Sequence, residues 1–115
     1  MAFEKLFATP LNKTEIEEKI VLLNKYLKSC LLGEFNVYLY GSAAKYSMTS
    51  KSDIDVIVTI KDPFDLKQSK KRYYSGHTRL NFPVDILFIP MNIFNEQKNI
   101  GGVCMIAYSE GIMLK

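Results

Sequence analysis

Histidine occurs once in this 115-residue chain, cysteine twice, and no apolar run approaches the length of a membrane span. A bilayer crossing needs about 20 consecutive apolar residues, so a helical span is excluded. Cys30 and Cys104 lie far apart among aliphatic neighbours, without the close spacing of a metal site. They read as two reduced, partly buried thiols. His77 sits in Ser75-Gly76-His77-Thr78, a loop by composition. Nothing along the chain brings it beside acidic residues, so a surface histidine is expected rather than a catalytic base. No repeat, linker or low-complexity tract divides the chain, and a single domain over 1–115 is expected. The stretch Met1 to Pro10 lacks the apolar core of a secretion signal, which makes a cytoplasmic location the expectation. No recognised nucleic-acid-binding module is present, so nucleic-acid binding is not expected.

The composition that remains is that of a globular domain, 48% hydrophobic and 23% charged. A net charge of +3 suits an anionic ligand without establishing one. Thr14 and Glu17 have the spacing of a capping box, and Ile16, Ile20, Leu23, Leu27 and Leu31 follow at helical intervals up to a stop at Gly33. Phe35 to Tyr40 alternates as a strand and runs into Gly41-Ser42. Ala43 to Tyr46 has room for one helical turn, and Ser47 to Ser52 is a polar loop. Asp53 to Ile60 is a second strand, with six β-branched residues in eight positions. Asp62-Pro63 then marks a helix start, with the helix carrying Lys67, Lys70, Lys71 and Arg72 to about Tyr74. That basic stretch suits a solvated helix face, with a contact to RNA or an acidic partner as the alternative, and Tyr73 and Tyr74 either anchor the helix or offer rings for stacking. Val84 to Ile89 is a third strand between prolines. The remainder is helical, interrupted at Gly101-Gly102, with Ile112 to Leu114 as a short edge strand. Phe94, Ile100, Val103, Met105 and Ile106 read as core, part of it a possible partner surface. Strands alternating with helices predict an α/β (α+β) domain.

Chemistry concentrates on three acids. Asp53 and Asp55 flank Ile54 on a strand, and alternate strand residues share a face. Both carboxylates therefore project together, while Ile54, Val56, Val58 and Ile60 turn to a core. Such a pair can grip one hard divalent cation or share two. Asp85 interrupts the apolar Phe82-Pro83-Val84-Asp85-Ile86-Leu87, where a buried charge costs several kcal/mol unless paired or metal-bound. A strand beside that of Asp53 would bring all three together; a salt bridge to Lys45, Lys51 or Arg79 is the alternative. The Gly41-Ser42 turn offers N–H groups and a hydroxyl to phosphate.

Gly41-Ser42, ten residues, Asp53-Ile54-Asp55 and then Asp85 on a following strand resemble the active-site signature of the DNA polymerase β nucleotidyltransferase superfamily. The short length is similar to its minimal nucleotidyltransferase domains, many of them antitoxin partners of helical HEPN-domain proteins. The likeness spans roughly Val37 to Leu114 and implies a small mixed sheet of three to four strands flanked by helices. It implies that Gly41 lets the backbone approach a triphosphate and that Ser42 hydrogen-bonds its β or γ group. Asp53 and Asp55 would hold two Mg²⁺ ions, with Mn²⁺ as a substitute. Asp85 would ligate the catalytic ion and help deprotonate the attacking hydroxyl. Lys45 and Lys51 would neutralise the triphosphate, or be no more than solvated lysines. The donor implied is ATP or another NTP. The acceptor implied is a hydroxyl, such as a tyrosine of a HEPN partner, and an oligomer is compatible with this.

Family members often continue the glycine-serine pair with an arginine, a small residue, a basic residue and a glycine. Here Ala43-Ala44-Lys45-Tyr46 follows, so one cationic contact is missing and a tyrosine replaces the glycine. Reduced nucleotide affinity or turnover is the consequence to expect. Two functions are therefore in view: an enzyme moving AMP from ATP to a partner protein, or a catalytically weak, antitoxin-like module that neutralises its partner by binding. Transfer to a small molecule such as an aminoglycoside usually involves extra structure absent here.

Overall fold

The fold is taken from a computed structural model that describes residues 8–115. The reading of Met1–Pro10 as lacking a secretion signal falls mostly on residues outside this range. The first helix, α1, spans Lys13–Cys30. Its cap is Asn12, not Thr14: Asn12 Oδ1 accepts from Glu15 N at 2.8 Å, and Glu15 Oε1 accepts from Asn12 N at 3.3 Å. The capping box thus exists two residues earlier than its sequence signature suggested.

Four strands follow, interleaved with helices: β1 (Phe35–Tyr40), α2 (Gly41–Ala44), β2 (Ile54–Ile60), α3 (Pro63–Gly76), β3 (Val84–Pro90), α4 (Met91–Gln97), α5 (Gly102–Glu110) and β4 (Ile112–Leu114). Asp53 lies one residue before β2 rather than inside it. Asp62 caps α3, its carboxylate accepting from the N–H groups of Phe64 and Asp65 with Pro63 at the first turn. His77 is not in a loop; it opens a 3-10 turn (His77–Arg79) and stacks on Tyr73 with 5.6 Å between ring centres.

The strands form one sheet in the order β3-β2-β1-β4, with β4 at an edge as expected. β1 runs antiparallel to β2 and β4, and β2 runs parallel to β3. The parallel pair follows from its connection, since α3 carries the chain back across the sheet. On one face Val37, Leu39, Ile54, Val56, Val58 and Ile60 pack under α1 and Tyr73. On the other, Tyr38 and Ile57 pack under Phe94 of α4 and Cys104 and Ala107 of α5. Both cysteines are free and buried. Of the apolar group expected as core with part a partner surface, Phe94 is buried and Val103 packs half-buried against this second core, while Ile100, Met105 and Ile106 are exposed. Alpha-helical spacing accounts for this: α5 turns Cys104 and Ala107 inward, which leaves Met105 and Ile106 on its outer side. Among the described residues, no helix is long and apolar enough to cross a membrane.

Candidate active site

Asp55 and Asp85 stand side by side at one end of the sheet, on the face shared with α4 and α5. In the parallel pairing Asp55 stands opposite Asp85, and in the antiparallel pairing it stands opposite Tyr40. Residues in register share a face, so the Asp55 and Asp85 carboxylates lie on strands about 4.8 Å apart. Asp53 precedes β2 by one residue and is near enough for its charge to act on Asp55. Burial pushes the Asp55 carboxyl above its ordinary range, and the negative charges of Asp85 and then Asp53 push it further. The Tyr40 phenol is raised as well, first by burial, then by Asp55, Asp85 and Cys104.

Asp85 itself is exposed. The cost of burying a charge in β3 therefore does not arise, contrary to the expectation from its apolar neighbours. β3 is the outer strand on its side of the sheet, and its Asp85–Leu87 side is left open, with Leu87 exposed as well. None of the proposed salt bridges to Asp85 forms among the described residues.

Gly41 and Ser42 begin α2 directly after β1. Gly41 has φ of 71°, and a Cβ there would collide with Asp55 Oδ2. The turn therefore touches the acidic group itself. The Ser42 carbonyl accepts from Ser47 N at 2.9 Å, which closes the loop that follows.

A family model described as nucleotidyltransferase domain matches residues 20–113, a range that holds Gly41, Ser42 and all three aspartates. The chain belongs to the nucleotidyltransferase domain family. No curated protein and no solved structure matched it. The mixed four-stranded sheet with flanking helices is the fold this membership implies. Nucleotidyl transfer is the corresponding activity class, with a nucleoside triphosphate as substrate.

In this nucleotidyltransferase domain, both departures after Ser42 have a structural setting. Ala43 is fully buried within the core cluster, so its position presents no cation to solvent. Tyr46 holds φ of 54°, a left-handed conformation that glycine adopts freely. The tyrosine carries strain of about 1–2 kcal/mol for it. Lys45, expected at the triphosphate, instead lies 3.5 Å from Glu110 at the end of α5, with both side chains largely exposed. Lys51 is exposed in the turn before Asp53.

The donor set suits a hard divalent ion in kind: three carboxylates, close enough for Asp55 to sense the other two, with no cation paired to them among the described residues. Their side chains are not drawn into a closed ligand set, since no group of three or more acidic, histidine or cysteine residues among those described is arranged to hold a metal.

Two residues of this region were missed in the sequence. Tyr40 is readable in hindsight, since it precedes Gly41 and alternates with Tyr38. Glu110 has no local signal, because only the fold brings the end of α5 to Lys45.

Proposed function

We propose that this domain is a Mg²⁺-dependent nucleotidyltransferase that moves AMP from ATP to a hydroxyl of a partner protein, with a HEPN-type protein as the partner and the cytoplasm as the setting. Asp53, Asp55 and Asp85 would hold the divalent ions, and Mn²⁺ would serve in place of Mg²⁺. When bound, such ions stabilise the entering and leaving oxygens of an in-line displacement at phosphorus. Asp85 also accepts the proton of the attacking hydroxyl, a role open to an exposed carboxylate beside the other two. Gly41 leaves the turn open to the triphosphate, Ser42 hydrogen-bonds its outer phosphates, and Lys45 and Lys51 neutralise them. Lys45 must leave Glu110 to do so, an exchange that costs little for an exposed pair.

The observation that carries this activity is the register of Asp55 with Asp85 beside Gly41, inside a matched nucleotidyltransferase domain. An uncompensated acidic cluster has no structural use, since like charges destabilise a fold. The choice of AMP, of a protein acceptor and of a HEPN partner follows from the resemblance to minimal nucleotidyltransferase antitoxins.

A second function has a specific observation in its favour. Ala43 is buried and Lys45 is engaged by Glu110, which weakens the cationic side of the site and favours an antitoxin-like module acting by complex formation. Labelled ATP with Mg²⁺ and a co-purified partner separates the two. Transfer of label to the partner, abolished by Asp53→Asn with Asp55→Asn in a folded protein, supports the enzyme. Equal labelling by the double variant rejects it, and tight complex formation without any labelling selects the binding module.

A further inference from the structure

On the opposite side of the sheet, two clefts lie along the α1–α3 seam, and a shallow third one lies on α3 alone, next to the second. The first, of about 390 Å³, is walled by Lys25 and Arg79 together with the apolar Leu22, Tyr26, Leu80 and Phe82. The second, of about 300 Å³, lies between Arg72 and Arg79 with Ser29 and Ser75. The third, of about 510 Å³, is lined by Lys67, Lys70, Lys71 and Tyr74. Tyr26, Ser29 and Arg79 belong to both the first and the second, and Ser75 joins the second to the third. The basic residues of α3 thus line shallow concave surface, which bears on the choice between a solvated helix face and a contact surface left open by the sequence.

Six cations follow this path: Lys25, Arg79, Arg72, Lys71, Lys67 and Lys70. No carboxylate lines any of the three clefts, and none of the six forms a salt bridge among the described residues. The two acids of α3 are occupied at its other end: Asp62 caps the helix, and Asp65 sits against Gly33. With a net charge of only +3, six uncompensated cations on one face leave the rest of the chain net negative. The excess is therefore a local feature rather than an average one.

The path is also held in place. Arg72 Nη2 donates to the Ser29 carbonyl at 2.8 Å, which fixes one guanidinium across the α1–α3 seam. The Tyr26 hydroxyl donates to the Tyr73 carbonyl at 2.6 Å in the same seam. Tyr74 stays 49% exposed at the lysine end, with its ring edge against Tyr73.

We propose that this face binds the phosphodiester backbone of single-stranded nucleic acid. A row of cations without interspersed acids tracks repeated phosphates, and an exposed aromatic ring beside it stacks a base. A protein partner is less well matched, because the centre of a protein interface is depleted of charge, and here charge runs the length of the path. The site is separate from the aspartate cluster and does not depend on the proposed transfer activity.

The test is fluorescence anisotropy of the full chain with labelled single-stranded RNA and DNA of about 12 nucleotides. Binding is expected at low salt, with log K falling linearly against log salt. Lys67→Ala/Lys70→Ala/Lys71→Ala is expected to weaken it about tenfold or more and to flatten the slope by about 0.7 for each phosphate that is no longer neutralised. Tyr74→Ala is expected to weaken binding with the slope unchanged. The three lysines are exposed, so the triple variant keeps the fold; Tyr74→Ala removes ring contacts with Tyr73, His77 and Phe88, and Arg72→Ala removes the hydrogen bond to Ser29, so both are read only beside a circular dichroism control. Tighter binding of RNA or of DNA identifies the source of the backbone. The proposal is overturned by absence of binding at low salt, or by binding that the lysine triple variant leaves unchanged. It is equally overturned if polyglutamate binds as tightly as the oligonucleotides, if ATP displaces them at matched phosphate, or if Asp53→Asn/Asp55→Asn abolishes binding.

Discussion

The Asp55 carboxylate occupies the space that a Cβ on Gly41 would need. The contact joins the turn after β1 to the acid at the start of β2, so the Gly41-Ser42 turn and the Asp55 side chain meet directly. Gly41 is required twice over, by its φ of 71° and by this approach.

Gly41→Ala is therefore expected to do more than strain the backbone. The left-handed conformation alone costs about 1–2 kcal/mol with a Cβ, equivalent to a fall in Tm of several degrees. Displacing Asp55 by even about 1 Å adds a loss of about 100-fold in turnover. Thermal melting and nucleotide incorporation, measured on the same preparation, check both. A variant with wild-type turnover would show that Asp55 does not act from this position.

Asp55 is also where pH and metal meet. Its folded pKa lies above the ordinary 3.8 because of burial, then Asp85, then Asp53. The native state consequently keeps a proton that the unfolded chain has already released, and stability falls as pH rises from 3.8 through the raised value. The penalty is complete at neutral pH. In divalent-free buffer at neutral pH, Asp55→Asn is expected to raise Tm. Adding Mg²⁺ is expected to raise Tm of the wild type and to leave Asp53→Asn/Asp55→Asn unmoved. A lower Tm for Asp55→Asn in metal-free buffer would contradict the repulsion.

Thr59 offers a test away from chemistry. Its hydroxyl is fully buried in β2 and has no hydrogen-bond partner among the described residues. An unsatisfied buried hydroxyl costs about 1–3 kcal/mol, so Thr59→Val is expected to stabilise by about 1 kcal/mol, read as a higher urea midpoint at constant m-value. A destabilised variant would mean that the hydroxyl has a partner.

Alkaline stability should track Tyr73. This ring is buried among Tyr26, Tyr74, His77 and Phe88, and burial pushes its phenol from 10.0 up to about 12. The unfolded chain loses this proton first, so stability is whole below pH 10.0 and declines as pH rises toward 12. Tyr73→Phe is expected to flatten that decline in a series of melts without removing it, because Tyr26 is also raised to about 12. An unchanged slope would place the titration elsewhere.

Elements built from neighbouring residues could be read directly from the chain. The alternation of Phe35–Tyr40, the β-branched run of β2, the Asp62-Pro63 helix start and the break at Gly101-Gly102 all lie where the residues themselves indicate. Strand alternation and capping act over a few residues, so they survive in any tertiary setting. Asp55 keeps the place in β2 that alternation predicts, while Asp53 falls one residue before the strand. The first helix cap shows where this ends. Asn12/Glu15 and Thr14/Glu17 have equal spacing, and the choice between them accompanies a long-range hydrogen bond, Leu11 N donating to Met48 O at 2.9 Å beside the Pro10–Thr49 bridge.

Pairings between distant segments belonged to the fold alone. The register of Asp85 with Asp55, the approach of Asp55 to Gly41, the hold of Glu110 on Lys45 and the hydrogen bond of Arg72 to the Ser29 carbonyl each join residues remote in the chain. No local propensity encodes them. They are decided when apolar side chains fill the two faces of the sheet, and the polar groups are carried to wherever that packing leaves them.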